Sequence, residues 1–296
     1  MLSRSAWLHL RIPFSYFLLP VYLFSLCVSP NYAGHYMAWV FIIVHLFLYP
    51  ASNGFNSYFD KDEQSIGGLK NPPPVSKGLY YLSLLFDVVA IVLGYLMVNL
   101  TFSAMLLIYG LVSKAYSHPA IRLKKHALAG WLTVCLFQGF FTFLMCYVGI
   151  NNYGVGNLVN PAVLIPAALS SLLLGGTYPM TQVFQHDEDA RRGDRTISLV
   201  LGVRGTFVFV GCLFFVASAL FLWYFDTYFR RDYAYAFLLA MAPVVGYFLF
   251  WFAQVYRDTS NADFKRTMWL NFISATSLNG FFIFIFLNYR QVLQTL

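Results

Sequence analysis

The sequence predicts an all-α polytopic membrane protein with nine transmembrane helices around a central cavity. Of the 296 residues, 59% are hydrophobic and only 10% are charged, whereas roughly a quarter of the residues in an average soluble domain are charged. The apolar residues are also grouped in runs of about 20, the length that crosses a bilayer. One residue in five is aromatic, so a disordered chain, a collagen-like fibre and a charged coiled coil are excluded as well.

Nine segments are long and apolar enough to be membrane-spanning helices, because a helix satisfies its own backbone hydrogen bonds within hydrocarbon. The first follows Arg4 and Arg11 as a signal peptide would, but no clear small-residue cleavage site ends it, so we expect a retained span. No shift of composition or long linker divides the chain, and residues 1–296 are predicted to form a single integral-membrane domain. The predicted spans are residues 13–30, 36–55, 79–98, 100–117, 127–150, 161–184, 199–225, 233–256 and 269–289.

The distribution of lysine and arginine predicts a cytoplasmic N-terminus. With that orientation, all but three of the 19 basic residues fall in cytoplasmic segments, the exceptions being Arg230, Arg231 and Arg290. Basic residues near the ends of spans are retained in the cytoplasm. The net charge of +7 is therefore explained by membrane orientation, and nucleic acid is not an expected partner.

The loop after the second span holds polar residues at helical spacing. Asn56, Asp60 and Gln64 are each four residues apart, and Glu63 follows Asp60 by three. If the span continues as a helix through this segment, the first three side chains share one face and Glu63 lies close to Asp60.

A second polar stretch follows the sixth span, where Gln185 and Asp189 are again four residues apart. Two oxygen-rich helix ends on one side of the membrane suit Mg²⁺ bound together with phosphate, since this ion takes one or two carboxylates, waters and phosphate oxygens. Basic residues of the neighbouring loops would bind a diphosphate. The alternatives are that these basic residues only orient the spans and that the acidic stretches are solvated loops. The basic residues are Lys70, Lys77, Lys114, Arg122, Lys124, Lys125, Arg191, Arg192 and Arg195.

Three polar residues lie inside predicted spans. Asp87 is in the third span, where an unpaired carboxylate is costly, so we expect it to face the protein interior or to be protonated. Asn271 and Asn279 share a face of the ninth span. Hydrogen bonds between helices are their favoured role, and lining a polar pocket is the alternative.

Three groups of residues match motifs of a known family. Asn56 and Asp60 match the first two positions of an Asn-x-x-x-Asp-x-x-x-Asp motif after the second span, and Asp189 matches the last position of an Asp-x-x-x-Asp motif after the sixth. Tyr116 and Lys124 belong to a segment similar to Tyr-Ser-x-x-x-x-x-Leu-Lys. With nine spans, the chain resembles the UbiA-type intramembrane prenyltransferases over essentially its whole length.

Two residues depart from the family's pattern. Gln64 stands where the last aspartate of the first motif is expected, and Gln185 where the first aspartate of the second is expected. Glutamine is a neutral oxygen ligand and supplies no charge to Mg²⁺, so each half of the site retains one matched carboxylate.

The resemblance implies a Mg²⁺-dependent prenyltransferase. It would transfer a prenyl group from an allylic polyprenyl diphosphate to a lipid-soluble, hydrophobic or aromatic acceptor within the lipid bilayer, as in quinone or lipid biosynthesis. We expect a multi-pass protein of the bacterial inner membrane, with its active-site loops on the cytoplasmic side. The implied catalytic residues are Asp60, Asp189 and Lys124; the diphosphate ligands are Asn56, Lys70, Tyr116, Lys124, Arg192 and Arg195; and the metal ligands are Asp60, Glu63, Gln64, Gln185 and Asp189.

Two other functions are compatible with the sequence. An intramembrane terpene cyclase of the same superfamily would ionise the same substrate without an acceptor. A non-catalytic isoprenoid- or lipid-binding or transport protein could have kept the fold while losing two motif carboxylates. Products formed without an acceptor would distinguish the cyclase, and no diphosphate release would favour the binding protein.

Overall fold

A computed structural model provides the structure of residues 3–31 and 33–289. Arg290, predicted on the non-cytoplasmic side, lies outside the described residues. Within them the chain is almost entirely helical and has no β-strand, and nine helical segments are long and apolar enough to cross a membrane. The predicted fold class is confirmed. The spans are Arg4–Val28, Gly34–Asp60, Lys77–Met97, Leu100–Ser117, Ala127–Asn151, Pro161–Met180, Ile197–Tyr228, Arg231–Arg257 and Phe264–Tyr289.

The first span differs from its prediction because it starts nine residues earlier than residue 13 and is not one regular helix. Helix Arg4–Leu10 is capped by the Ser3 hydroxyl, which accepts from the Ala6 amide at 3.2 Å. Arg11 then takes a left-handed conformation with φ of 47° and ends that helix. A 3-10 stretch, Ile12–Leu18, leads into helix Leu19–Val28, so the Arg11 side chain is placed at a bend within the span.

The sixth span ends at Met180 rather than at the predicted residue 184. Pro179 lies in its last turn, and the chain beyond it continues in tight turns, with the Gln182 amide donating to the Pro179 carbonyl at 3.1 Å. This early end frees residues 181–185 to form a loop. Gln182 and Gln185 are thereby placed in that loop, beside the acidic residues that follow.

Two spans contain a stretch of wider π-helix, Ile43–Leu48 in the second and Cys135–Phe141 in the fifth. In the fifth span, the Ser171 hydroxyl of the sixth span donates to the Cys135 carbonyl at 2.7 Å and accepts from the Phe140 amide at 3.1 Å. Single-turn π segments are frequent at functional sites. Here the stretch carries Phe137 and Gln138, both of which line the cavity described below.

The fifth and sixth spans approach each other closely at Gly139. A Cβ atom at this position would lie 2.6 Å from the Ser171 Cα, which is backbone and cannot rotate away. We expect Gly139→Ala to destabilise the protein by about 1–3 kcal/mol through overpacking, measured as a lower thermal unfolding midpoint in detergent. The matched control is Gly246→Ala in the eighth span, where a Cβ atom would meet nothing within 4 Å. Equal midpoints for the two variants would contradict this close packing.

The aromatic core is in the half of the bundle away from the acidic loops. Phe24 of the first span stacks on Phe282 of the ninth with ring centroids 4.7 Å apart, and it also contacts Phe143 of the fifth and Phe221 and Phe225 of the seventh. Aromatic pairs in these geometries add stability beyond their buried area. The other half of the bundle holds the cavity and the polar loops.

Candidate active site

The second span delivers two polar side chains to the site and then ends. Its helix stops at Asp60 because Lys61 adopts a left-handed conformation with φ of 51°. Asn56 and Asp60 therefore share the face of its last turn, as predicted. The predicted continuation of this helix through Gln64 is wrong, since Gln64 follows the break and is exposed.

Lys124 joins this helix end from the loop after the fourth span. Its ammonium forms an ion pair with the Asp60 carboxylate and also donates to the Asn56 side-chain oxygen at 3.2 Å. Ser117 donates to the same Asn56 oxygen at 2.7 Å. Lys124 is buried, with only a tenth of its side chain exposed. A buried lysine requires such oxygen partners, because an isolated buried charge is strongly destabilising.

The second acidic stretch forms a short helix, His186–Arg192, which ends at Gly193 with φ of 73°. Arg192 at its last position forms an ion pair with Asp62 of the first polar loop. The same guanidinium lies 3.3 Å from Asp189 and 3.9 Å from Glu188. One arginine thus holds carboxylates of both loops together.

A second arginine ties the loop after the fourth span to the loop after the sixth. Arg122 donates two hydrogen bonds to Asp194, at 2.9 and 2.8 Å, and lies 3.6 Å from Asp60. Bidentate pairs of this kind are geometrically specific. Backbone pairing reinforces the contact, since the Arg195 amide donates to the Lys125 carbonyl at 2.9 Å. Three loops therefore meet in one buried ionic cluster.

Burial and ion pairing shift the pKa values of the carboxyl groups in this cluster in different directions. Burial raises the pKa of Asp189 to about 6, and burial together with the nearby Asp60 raises the pKa of Asp62. Burial opposes ionisation of Asp194 too, but its hydrogen bonds from Arg122 leave its pKa below the ordinary value. Asp194 is therefore a permanent partner of Arg122, whereas Asp189 is the carboxyl whose charge depends on its surroundings near neutral pH.

A cavity of about 270 Å³ opens at the ionic cluster and continues between the spans. At its mouth it is lined by Asn56, Asp60, Lys124, Gln185, Asp189 and Arg192, and further in mainly by apolar side chains of the first, fourth, fifth, sixth and ninth spans. Tyr116 and Tyr178 line it as well, and their hydroxyls are hydrogen-bonded to each other. The cavity therefore has a charged mouth and a largely apolar interior.

The structure brings most of the sequence-predicted site residues to this mouth. Four others are exposed and are not among the described residues that line the cavity: Glu63, Gln64, Lys70 and Arg195. Glu63 approaches the cluster only through its backbone amide, which donates to Glu188 at 3.0 Å. Arg195 contributes its backbone to the Lys125 contact, and the Lys70 carbonyl accepts from the Ser65 hydroxyl at 2.6 Å.

Three charged residues that line the cavity are absent from the predicted site: Arg11, Asp62 and Asp194. Arg122 was predicted only as one of the basic residues near the diphosphate. Arg11 is brought in by the bend in the first span, and it donates to the Gly67 carbonyl at 2.9 Å. Asp62 lies beyond the helix end, where four-residue spacing no longer indicates which side chains share a face. The sequence does draw attention to Arg122 and Asp194, since both lie within or beside motif segments. Their pairing, however, depends on tertiary structure.

The three polar residues predicted to lie within spans differ in the contacts that they make. Asp87 faces the interior and forms an ion pair with Lys114, which is in the fourth span rather than in a loop. Asn271 lines the cavity, which agrees with the alternative role considered for it. Asn279 is buried and its amide has no hydrogen-bond partner within the described residues, so the favoured interhelical hydrogen bond is not found for it there.

The mouth has the donor chemistry of a site for a hard divalent cation. Its oxygens come from carboxylates and side-chain amides, the ligands that Mg²⁺ prefers. One oxygen each of Asp60 and Glu188 is buried without a hydrogen-bond partner in the described part of the chain. In the described residues no three carboxylates, histidines or cysteines are grouped ready to hold an ion, because Lys124 and Arg192 lie between the carboxylates. The residues fit Mg²⁺ if these two cations move to other partners.

Metal binding is expected to weaken in acid through Asp189. Its folded-state pKa of about 6 is raised by burial, so below pH 6 this carboxyl is protonated, and binding a divalent ion then requires release of a proton. The affinity for Mn²⁺, used as a spectroscopic substitute for Mg²⁺, should fall by up to about tenfold per pH unit below pH 6. Asp189→Asn should remove that slope while leaving the fold intact. If the Mn²⁺ affinity of the variant still falls with decreasing pH, the proton released on metal binding comes from another group.

The model of the UbiA prenyltransferase family matches residues 17–275. Among curated proteins, no sequence matches. Solved structures that share the fold at low identity include three that cover nearly the whole of this chain. A UbiA homolog from Archaeoglobus fulgidus, bound to GPP and Mg²⁺, superposes with a TM-score of 0.64 at 16% identity, covering 95% of this chain and 99% of that one.

The other two structures agree with the first. An apo UbiA homolog from Aeropyrum pernix K1 has a TM-score of 0.70 at 18% identity, covering 92% of this chain and 98% of that one. A digeranylgeranylglyceryl phosphate synthase has a TM-score of 0.60 at 19% identity, covering 96% and 98%. At these identities the likeness shows a shared fold over nearly the whole length of each chain.

Proposed function

The chain belongs to the UbiA prenyltransferase family, and on that premise we propose that it transfers a prenyl group from an allylic diphosphate to a lipid-soluble acceptor inside the bilayer. The observation that carries the proposal is that Asp60 and Asp189, from two loops, line one cavity mouth together with Lys124 and Arg192. Carboxylates at that mouth suit a metal, cations suit a diphosphate, and the apolar interior suits a hydrocarbon chain. The structural relative bound to GPP and Mg²⁺ supports the same assignment.

The basic side chains would bind the diphosphate and stabilise it as a leaving group. Lys124 and Arg192 line the mouth, and Arg122 belongs to the ionic cluster beside it; carboxylates or amides hold all three. When Mg²⁺ takes their place beside the carboxylates, the ammonium of Lys124 and the guanidinium of Arg192 would pair with the diphosphate and stabilise the charge that develops on it as it leaves. Lys124 is the most buried of the three, and we assign it the largest contribution.

Asp60 and Asp189 would hold Mg²⁺, with Asp62 and Glu188 as neighbouring carboxylates and Gln185 as a neutral contact. Bound there, the ion would neutralise diphosphate charge and favour departure of the leaving group. Asp62 replaces the charge that Gln64 does not supply, since it lies at the mouth and Gln64 is exposed.

The cavity interior would enclose the prenyl chain and its allylic cation. Exclusion of water allows alkylation of the acceptor to outrun hydrolysis. Tyr116 and Tyr178 lie between the charged mouth and the apolar interior, where aromatic faces attract positive charge. We place the carboxylate loops on the cytoplasmic side of a bacterial inner membrane, following the distribution of basic residues.

Pyrophosphate release by the purified full-length protein tests this function. The protein in detergent is given geranyl diphosphate with and without Mg²⁺, first alone and then with a membrane extract as the source of acceptor. Metal-dependent release that requires the extract, with a prenylated lipid as product, is the expected result. Release with a cyclic product and no extract would favour a terpene cyclase, and no release in either arm would favour a binding protein.

A further inference from the structure

One face of the ninth span presents polar groups to the largely apolar interior of the cavity. Asn271, Ser274, Ala275 and Leu278 all line it, and their spacing of three, four and seven residues puts them on one side of the helix. Asn271 is 7% exposed and Ser274 is 6% exposed, so both are more than nine-tenths buried. This face therefore brings an amide and a hydroxyl into an otherwise apolar enclosure.

The Ser274 hydroxyl has no hydrogen-bond partner among the described residues. Two other hydroxyls that line the same cavity are satisfied within their own helices. Thr133 donates to the Ala129 carbonyl at 2.7 Å, and Thr177 donates to the Leu173 carbonyl at 3.0 Å. A buried hydroxyl without a partner destabilises the protein, so its presence in a cavity wall points to a ligand that supplies the partner.

The two polar residues lie below the charged mouth. The ninth span begins at Phe264, whose ring packs on Phe184 in the loop just before Gln185, with centroids 5.4 Å apart. At a rise of 1.5 Å per residue, Asn271 is about 10 Å and Ser274 about 15 Å further along the helix. They are thus separated from the diphosphate subsite and face the region where the two substrates would meet.

We propose that Asn271 and Ser274 bind a neutral hydroxyl or carbonyl group of the acceptor. The inference rests on the proposed prenyl transfer, because it assigns the cavity to two substrates. A prenyl chain has no hydrogen-bonding atom, and its diphosphate is at the mouth, so neither part of the donor satisfies Ser274. The amide and the hydroxyl are uncharged, and they complement a neutral polar group rather than a carboxylate. Such a group occurs in phenols and quinols and also in lipid alcohols.

Equilibrium dialysis of the full-length protein in detergent tests the site without turnover. The probes are two matched pairs, 2-naphthol with naphthalene and 1-decanol with decane, each pair differing by one hydroxyl. We expect Ser274→Ala and Asn271→Leu to weaken binding of one hydroxyl-bearing probe by about tenfold, the size of one hydrogen bond, and to leave its hydrocarbon partner unchanged. Ser274→Thr should restore binding, and Thr177→Val is the matched control because its hydroxyl is already bonded.

Each outcome decides the proposal. An effect confined to 2-naphthol assigns an aromatic acceptor, and one confined to 1-decanol assigns a lipid alcohol. If neither hydroxyl probe binds more tightly than its hydrocarbon, or if Ser274→Ala leaves the difference unchanged, the proposal is overturned and water satisfies Ser274. Pyrophosphate release from geranyl diphosphate is measured on the same preparations, so that failure of prenyl transfer is seen separately from failure of the acceptor site.

Discussion

Replacing Asp60 or Asp189 with asparagine is expected to lower Mg²⁺-dependent pyrophosphate release at least about 10³-fold, corresponding to roughly 4 kcal/mol of lost charge stabilisation. The side chains keep their size, so the change removes charge rather than packing. Each loop contributes one of these carboxylates to the same cavity mouth. The measurement is initial rate against Mg²⁺ concentration with geranyl diphosphate.

Asp187→Asn is the matched control for this first experiment. Asp187 is in the same short helix as Asp189, but it is exposed. Its variant should retain the rate of the unmodified protein within about twofold, as expected for a solvated surface charge. Retained turnover in both the Asp60 and Asp189 variants would refute the assignment of the metal site.

Lys124→Gln is expected to lower turnover at least about 100-fold while strengthening metal binding in the absence of substrate. Turnover falls because the diphosphate loses a buried cation that stabilises it on departure. Metal binding strengthens because Lys124 holds the Asp60 carboxylate and the Asn56 oxygen, so without its ammonium the divalent ion no longer competes for them. We expect the Mn²⁺ affinity of the substrate-free variant to rise by about tenfold, the size of one charge-assisted hydrogen bond.

The opposite directions of these two effects make the experiment decisive. A variant that is merely misfolded would lose both turnover and Mn²⁺ binding. Lys125→Gln serves as the matched control, because Lys125 is the next residue and is exposed. Equal Mn²⁺ affinity in the unmodified protein and in Lys124→Gln would show that Lys124 does not occupy the metal's place.

The spans could be predicted from the sequence because the bilayer selects for length and apolar composition, both of which are local properties. Their ends were less accurate where the backbone changes direction. The sixth span ends at Met180, four residues before its predicted end, and the left-handed Lys61 removes Gln64 from the face that four-residue spacing assigned to it. Such breaks depend on a single residue's conformation, which periodicity does not contain.

Site residues that lie on one regular helix could be predicted from the sequence. Asn56 and Asp60 share a helical turn, and the structure places them together. Arg122 and Asp194 are 72 positions apart, and their bidentate pairing results from the way three loops meet. No spacing rule connects residues at that separation, so this part of the cluster required the tertiary structure.

The ionic cluster also determines when during biosynthesis the site first exists. Asp62 and Arg192 are separated by 130 positions, and Asp60 and Lys124 by 64. At roughly 5–20 residues per second of synthesis, several seconds pass between the emergence of the first carboxylate loop and that of its arginine. Lys124, the partner of Asp60, emerges about halfway through this interval, whereas Asp62 has no partner until Arg192 is made. A chain interrupted before the short helix His186–Arg192 would therefore retain half a site. The charged mouth of the cavity is thus complete only after six spans have been made.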